Sequence, residues 1–209
     1  MQQLKNNWRI AVLIILYTVG VIGIAAFKSD YITSLTPINL IIAASLIWPK
    51  SFNSKLILTS LFIFCGGYLV ELLGISTGFP FGAYQYGNNL GPKIFGVPLI
   101  IGVNWWIMVY TSSEISRKLT KNIYVKVLIT GLLMVSLDLL IEQVAPLLDF
   151  WNWNNSHIPI NNYIAWFFIG CIFSFIWEKH TNTSNNKTAF QLYFIQLLFF
   201  GILVISRVI

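Results

Sequence analysis

Charge is what this chain has least of. Only 10% of its 209 residues are Asp, Glu, Lys or Arg, while 56% are hydrophobic and 16% aromatic, against about 25% charge in an ordinary soluble domain. So few charges cannot cover so much apolar surface, which excludes a soluble globular fold. Cysteine is scarce too. Cys65 and Cys171 lie too far apart in sequence for a metal motif, and both fall in apolar segments, so buried free thiols are expected. His157 and His180 stand alone, and no His and carboxylate spacing suits zinc or iron. There is no glycine-rich nucleotide loop, no paired-aspartate motif for a magnesium diphosphate and no nucleophile elbow. The chemistry left to such a chain is acid chemistry with neither metal nor cofactor.

What the chain does have is apolar blocks, about as long as the roughly 20 residues a helix needs to cross some 30 Å of hydrocarbon. They are read at 10–27, 32–48, 56–74, 97–113, 123–144, 161–177 and 189–205, the second interrupted early by Pro37. The first is longer than the roughly 7–15 apolar residues of a signal peptide and no small-residue cleavage site follows it, so a retained span is expected. The expected fold is all-α, a polytopic transmembrane helical bundle of about seven spans, forming one integral membrane domain over 1–209. The net charge of +6 would suggest nucleic acid in a soluble protein, but here the basic residues flank the spans and report topology. With the amino terminus inside, Lys5, Arg9, Lys50, Lys55, Arg117, Lys118, Lys121, Lys126, Lys179 and Lys187 lie inside, and Lys28, Lys93 and Arg207 outside. This split predicts amino terminus in and carboxyl terminus out, in the inner (cytoplasmic) membrane of the cell, with lipid and no nucleic acid as partner.

Two longer outer loops, 75–96 and 145–160, differ from the rest. The first is rich in glycine and proline, which suits a chain folding tightly back on itself rather than a regular element. The second is rich in Trp and Asn. Tyr84, Tyr86, Trp151 and Trp153 read either as a plain aromatic belt at the membrane surface or as the lining of a site. Of seven acids, Asp30, Glu114 and Glu178 sit at or near span ends, Glu114 within reach of Arg117 and Lys118. The other four, Glu71, Asp138, Glu142 and Asp149, converge by depth on the outer half. Asp138 and Glu142 are four residues apart, which places both carboxyls on one helix face, and a carboxyl in an apolar span must be protonated, paired or turned to a wet cavity. The structural alternative for Asp138 is a hydrogen bond to Asn104 or a tyrosine. Near Glu71, Gly66 and Gly67 would let a neighbouring helix approach closely.

A low-dielectric site disfavours charge on a carboxyl, and two nearby carboxyls separate into an acid and a base. Adding water to an unactivated alkene needs such a pair: a proton donor, a stabilised tertiary cation and a base for the incoming water. Aromatic faces stabilise a cation by roughly 0.5–2 kcal/mol each. The run ELLGISTGFPFGAYQYGNNLGPKIFGVP, from Glu71 to Pro98, and the block DLLIEQVAPLLDFWNWNNSHIPINNYIAW, from Asp138 to Trp166, together resemble the two signatures of the CruF-type carotenoid biosynthesis proteins, membrane-embedded carotenoid hydratases. Asp138, Pro146, Trp151, Trp153, Pro159, Asn161 and Trp166 fall in the expected order. The chain departs where family members often carry Tyr-Gly before the proline and it has Ser156, His157 and Ile158.

The resemblance implies hydration of the terminal double bond of a linear carotenoid end group to a tertiary alcohol, without a cofactor. The carotenoid would lie in the bilayer and water would arrive from its surface; other carotenoid-pathway enzymes are possible partners. The expected roles are Asp138 as proton donor and Glu142 or Glu71 orienting water, though exchanging Asp138 and Glu71 fits nearly as well. Tyr84, Tyr86, Trp151 and Trp153 would line the cation, Asn104 and Asn161 would hold water or a carboxyl, and Asp149 and Trp166 complete the substrate-binding set. The rival classes are a proton-coupled transporter, in which Asp138 and Glu142 form a relay, and a non-catalytic scaffold of a lipid pathway.

Overall fold

A computed structural model of the chain describes residues 4–49, 53–155, 157–181 and 185–206. Lys50 and Arg207, both counted in the charge split, and Ser156 lie outside the described residues, as does the side chain of Lys5. The protein is helical. In chain order come α1 (Leu4–Val21), a π-helical turn (Ile22–Ala26), α2 (Asp30–Ser34), α3 (Thr36–Ile47), α4 (Ser54–Thr77), α5 (Ile100–Leu119), α6 (Ile123–Val144), α7 (Ile160–His180) and α8 (Lys187–Ser206). Local chemistry sets the ends. The Asn53 side chain accepts from the Leu56 amide at 2.8 Å to start α4, and Gly78, with φ at 74°, ends it in the left-handed conformation. Asn122 caps α6 through Tyr124 and Val125.

Five helical segments are long and apolar enough to cross a membrane: Trp8–Ala26, α4, α6, α7 and α8. Their outer faces expose Leu58, Leu61, Leu132, Phe168 and Leu198, a surface that fits lipid. The other two expected spans differ for physical reasons. The block 32–48 divides at Leu35 into α2 and a 12-residue α3 with Pro37 in its first turn, and at about 1.5 Å per residue α3 falls well short of a hydrocarbon core. α5 is 20 residues long but carries Asn104, Thr111, Ser112, Ser113, Glu114 and Ser116. It can do so because it is the central helix, packed by α3, α4, α6, α7 and α8 and buried over most of its length. Cys171 is half-buried, and Cys65 faces outward on α4, correcting the expectation of a buried thiol.

The loops 75–96 and 145–160 are more regular than their composition predicts. β1 (Tyr84–Tyr86) pairs antiparallel with β4 (Trp151–Trp153), and β2 (Lys93–Ile94) pairs with β3 (Val97–Pro98). The β2–β3 hairpin turns through Phe95 and Gly96, both at positive φ, the twist a two-residue hairpin needs. At the opposite end of the bundle, Arg117 binds Glu178 at 2.6 Å and Glu114 at 3.2 Å. Lys126 adds to Glu178 at 3.4 Å, and the Asn186 amide donates to Glu114 at 2.6 Å.

Candidate functional site

The β1–β4 ribbon joins these two loops in the register Tyr84 opposite Trp153, Gln85 opposite Asn152 and Tyr86 opposite Trp151. Side chains alternate across a strand, so one face of the ribbon presents two tyrosines and two tryptophans together, in contact as ring pairs. Their polar ends do not point to a membrane surface, as a belt would have them. They point to the carboxyls.

Glu71, buried near the end of α4, accepts from three groups: the Tyr84 hydroxyl, the Tyr86 hydroxyl at 2.8 Å and the Trp105 indole N–H at 3.0 Å. Glu142, buried near the end of α6, also accepts from three: Trp153 N–H at 2.7 Å and Trp151 N–H at 3.1 Å on Oε2, and Asn162 Nδ2 at 3.0 Å on Oε1. Asn162 Nδ2 donates also to Asp138 Oδ2 at 3.0 Å, one turn below Glu142, while Asp138 Oδ1 is buried with no partner among the described residues. Burial above all pushes the hydroxyls of Tyr84 and Tyr86 well above the ordinary tyrosine range, so both stay protonated.

A cavity of about 20 Å³ lies between Glu71 and Glu142, walled by Tyr84, Tyr86, Trp151 and Trp153 with Asn104 on one side. That is room for a single water. Trp166 closes it, stacked on Trp105 with ring centres 4.1 Å apart and planes 8° apart. Close packing holds this wall: a Cβ on Gly67 of α4 would fall 2.4 Å from the Trp105 ring, and one on Gly66 would fall 3.0 Å from Phe173.

The expected residues divide. Glu71, Glu142, Tyr84, Tyr86, Asn104, Trp151, Trp153 and Trp166 all line the cavity. Asp138 does not; it sits behind Asn162, which takes the place expected of Asn104 or a tyrosine as its partner. Asn161 is exposed and its neighbour Asn162 is the buried one, because Pro159 starts α7 at a phase that turns 162 inward. Asp149 lies away from the cavity and ties the loops, its Oδ2 accepting from the Asn88 amide at 2.8 Å. His157 is exposed. Sequence reasoning missed Trp105 and Asn162. Each is the immediate neighbour of a residue it named, and one position along a helix turns a side chain by about 100°. Among the described residues, no group of three His, Cys, Asp or Glu side chains could hold a metal ion.

Comparison with known proteins bears on the family of the chain. Bisanhydrobacterioruberin hydratase from Haloarcula japonica is 29% identical over 113 residues, which cover 50% of this chain and 39% of that protein. The chain thus matches well under half the length of this relative. No solved structure matches it. The profile of the family described as carotenoid biosynthesis protein matches residues 31–209, a span that includes every acid and aromatic of the cavity, and the chain belongs to that family.

Proposed function

We propose that this chain adds water across the terminal double bond of a linear carotenoid end group, giving a tertiary alcohol, with Glu71 as proton donor and Glu142 as base. Hydration leaves the oxidation level of the pair of reactants unchanged, so the reaction calls for no redox cofactor. The observation that carries the reading is two carboxyls on one small aromatic-walled cavity.

The assignment of roles follows from what each partner can do. Indole N–H and amide N–H groups only donate. Glu142 is surrounded by such groups on both oxygens, which suits a carboxylate and leaves no acceptor for a proton it might carry. A tyrosine hydroxyl donates or accepts. Glu71 Oε2 meets two of them, so it can carry a proton toward Tyr84 or Tyr86 while Oε1 keeps the Trp105 bond. Glu71 then gives its proton to the less substituted carbon of the terminal double bond, which leaves the positive charge on the tertiary carbon. The tertiary cation forms among the rings of Tyr84, Tyr86, Trp151 and Trp153, each worth roughly 0.5–2 kcal/mol. Water adds to the cation as Glu142 takes its proton. Asp138 takes no direct part; with one donor to its carboxyl among the described residues, it sets the position of Asn162 against Glu142.

In the same proposal the chain crosses the inner membrane seven times, α2 and α3 counting as one broken span and α5 as the central one, with the amino terminus inside. Supporting this, the site and the Arg117 cluster occupy opposite ends of the bundle, as the excess of Lys and Arg at one end requires. The carotenoid end group would reach the site from the lipid.

The direct test is mass analysis of pigments from cells that accumulate lycopene or a monocyclic carotene, with and without this chain. A product heavier by one water, and carrying the label from heavy-oxygen water, is expected; unchanged pigment with the protein present in the membrane and both substrates tried would refute the reading. A second expected result concerns Gly67→Ala. The new methyl must push Trp105 away from Glu71, and small misplacements at a reacting centre are costly, so product per unit of membrane-inserted protein should fall on the order of tenfold or more. Full activity in that variant would mean that the Trp105 bond to Glu71 does not matter.

A further inference from the structure

A second cavity, of about 60 Å³, lies between α1, α3, α5, α6 and α8 beneath the loops. Its walls are mostly apolar, but five polar side chains, Tyr17, Thr36, Asn39, Asn104 and Gln196, face it. Two of these present acceptors with no donor among the described residues. Asn39 Oδ1 and Gln196 Oε1 are both buried, and no described residue donates to either. Gln196 is only 3% exposed, and its amide lies beside the Tyr17 hydroxyl with the oxygen left over. Buried side-chain acceptors in native proteins nearly always have a donor. A pair of orphan amide oxygens on one cavity therefore points to a small ligand with O–H or N–H groups.

We infer that this cavity is a water chamber that supplies the acid site. On the same measure by which the acid cavity has room for a single water, this one has room for a few. A polyene arm offers no donor and would leave both oxygens unpaired. The chamber adjoins the acid cavity, the two sharing Ile101, Asn104 and Trp151 as walls. The Trp151 N–H is engaged by Glu142 and Ile101 is apolar, so Asn104 is the group at the junction that can both accept from a water and donate to one. Gln196 and Asn39 hold the waters, and Asn104 hands one to the cavity beside Glu142. The use of this water rests on the hydration reading; its presence does not.

The test uses the full chain in phosphatidylcholine nanodiscs, with brief X-ray radiolysis of water as the probe, since hydroxyl radicals label side chains that touch ordered water. Tyr17, 5% exposed, lines the chamber, whereas Tyr110, fully buried, lies outside it. Tyr17 is expected to label at least tenfold faster than Tyr110. Gln196→Met keeps the volume and removes the acceptor, and should cut Tyr17 labelling several-fold and heavy-oxygen uptake into product at least fivefold. Gln196→Glu, which keeps an acceptor, should retain most of both. If Gln196→Met is not recovered folded, Asn39→Leu makes the same test from α3. Labelling of Tyr17 no faster than Tyr110 would show a dry cavity and overturn the inference, as would full hydration by a Gln196→Met variant that has lost its label. Tyr17 labelled and sensitive to Gln196→Met in a protein that hydrates no pigment would uphold the water site and remove the hydration reading alone.

Discussion

Glu71→Gln and Glu142→Gln should each lower the yield of hydrated pigment by about 10²–10⁴, the range that general acid–base groups contribute, while Asp138→Asn should cost nearer tenfold. The order matters more than the sizes. Asp138 is the deepest acid and by depth alone the first choice for proton donor, but it is separated from the cavity by Asn162, so in the proposed reaction it acts only through the position of Glu142. The two glutamine variants should also differ in how they fail. In Glu71→Gln the new NH₂ can donate to the Tyr84 or Tyr86 hydroxyl, so the protein should accumulate normally and be inactive. In Glu142→Gln the NH₂ must face either the two indole donors or Asn162 Nδ2, a donor against a donor, and a lost or misdirected bond at a buried group costs about 1–3 kcal/mol. That variant should be inactive and also less abundant. Immunoblotting of membranes alongside pigment mass analysis separates the two effects. If Asp138→Asn proves the most damaging at normal abundance, the proton donor is Asp138 and not Glu71.

Sequence led furthest where lipid dictates composition. Length and hydropathy identified α4, α6, α7 and α8 because each turns an apolar face outward, and a lipid-facing helix has little freedom in composition. α5 was legible as a segment, but its character was not. Its Ser and Thr cluster, with Glu114, looks like a span running into water, and it is a central helix whose polar side chains are buried. The three deep acids were found because a carboxyl is costly in a span wherever it lies. Asp149 was grouped with them by depth, yet its carboxyl is occupied in holding Asn88, which depth cannot reveal. The β1–β4 pairing brings Tyr86 to Trp151 and Tyr84 to Trp153, across more than the whole of α5 and α6; no local rule gives such a pairing. The signal was nevertheless present in Tyr84-x-Tyr86 and Trp151-x-Trp153. Each is a period of two that would place its aromatics on one face of an extended strand.

Arg117→Met should be the most destabilising single change at the end of the bundle remote from the site. Glu114 and Glu178 are almost wholly buried there, and one guanidinium serves both: Nε on Glu178 at 2.6 Å, Nη1 on Glu114 at 3.2 Å and Nη2 on the Thr181 carbonyl at 3.2 Å. Removing it takes the guanidinium from two buried carboxylates at once, while Lys126 stays on Glu178 and the Asn186 amide on Glu114. Breaking a buried charge cluster on one side costs about 3–5 kcal/mol, against a total of roughly 5–15 kcal/mol for a typical folded protein. The expected result is a large fall in membrane abundance and in the thermal midpoint of the detergent-purified protein. Arg117→Lys should rescue little, because a single ammonium cannot reach Glu114, Glu178 and Thr181 in the fixed fork that a guanidinium presents. The triple variant Arg117→Met, Glu114→Gln, Glu178→Gln should recover much of the loss, since it removes the carboxylates together with their partner. Hydration per folded molecule should stay near the parent value in that triple variant, because none of its three positions lines either cavity. A thermal midpoint unchanged by Arg117→Met would mean that the cluster is solvated and that α5, α6 and α7 are held together by apolar packing alone.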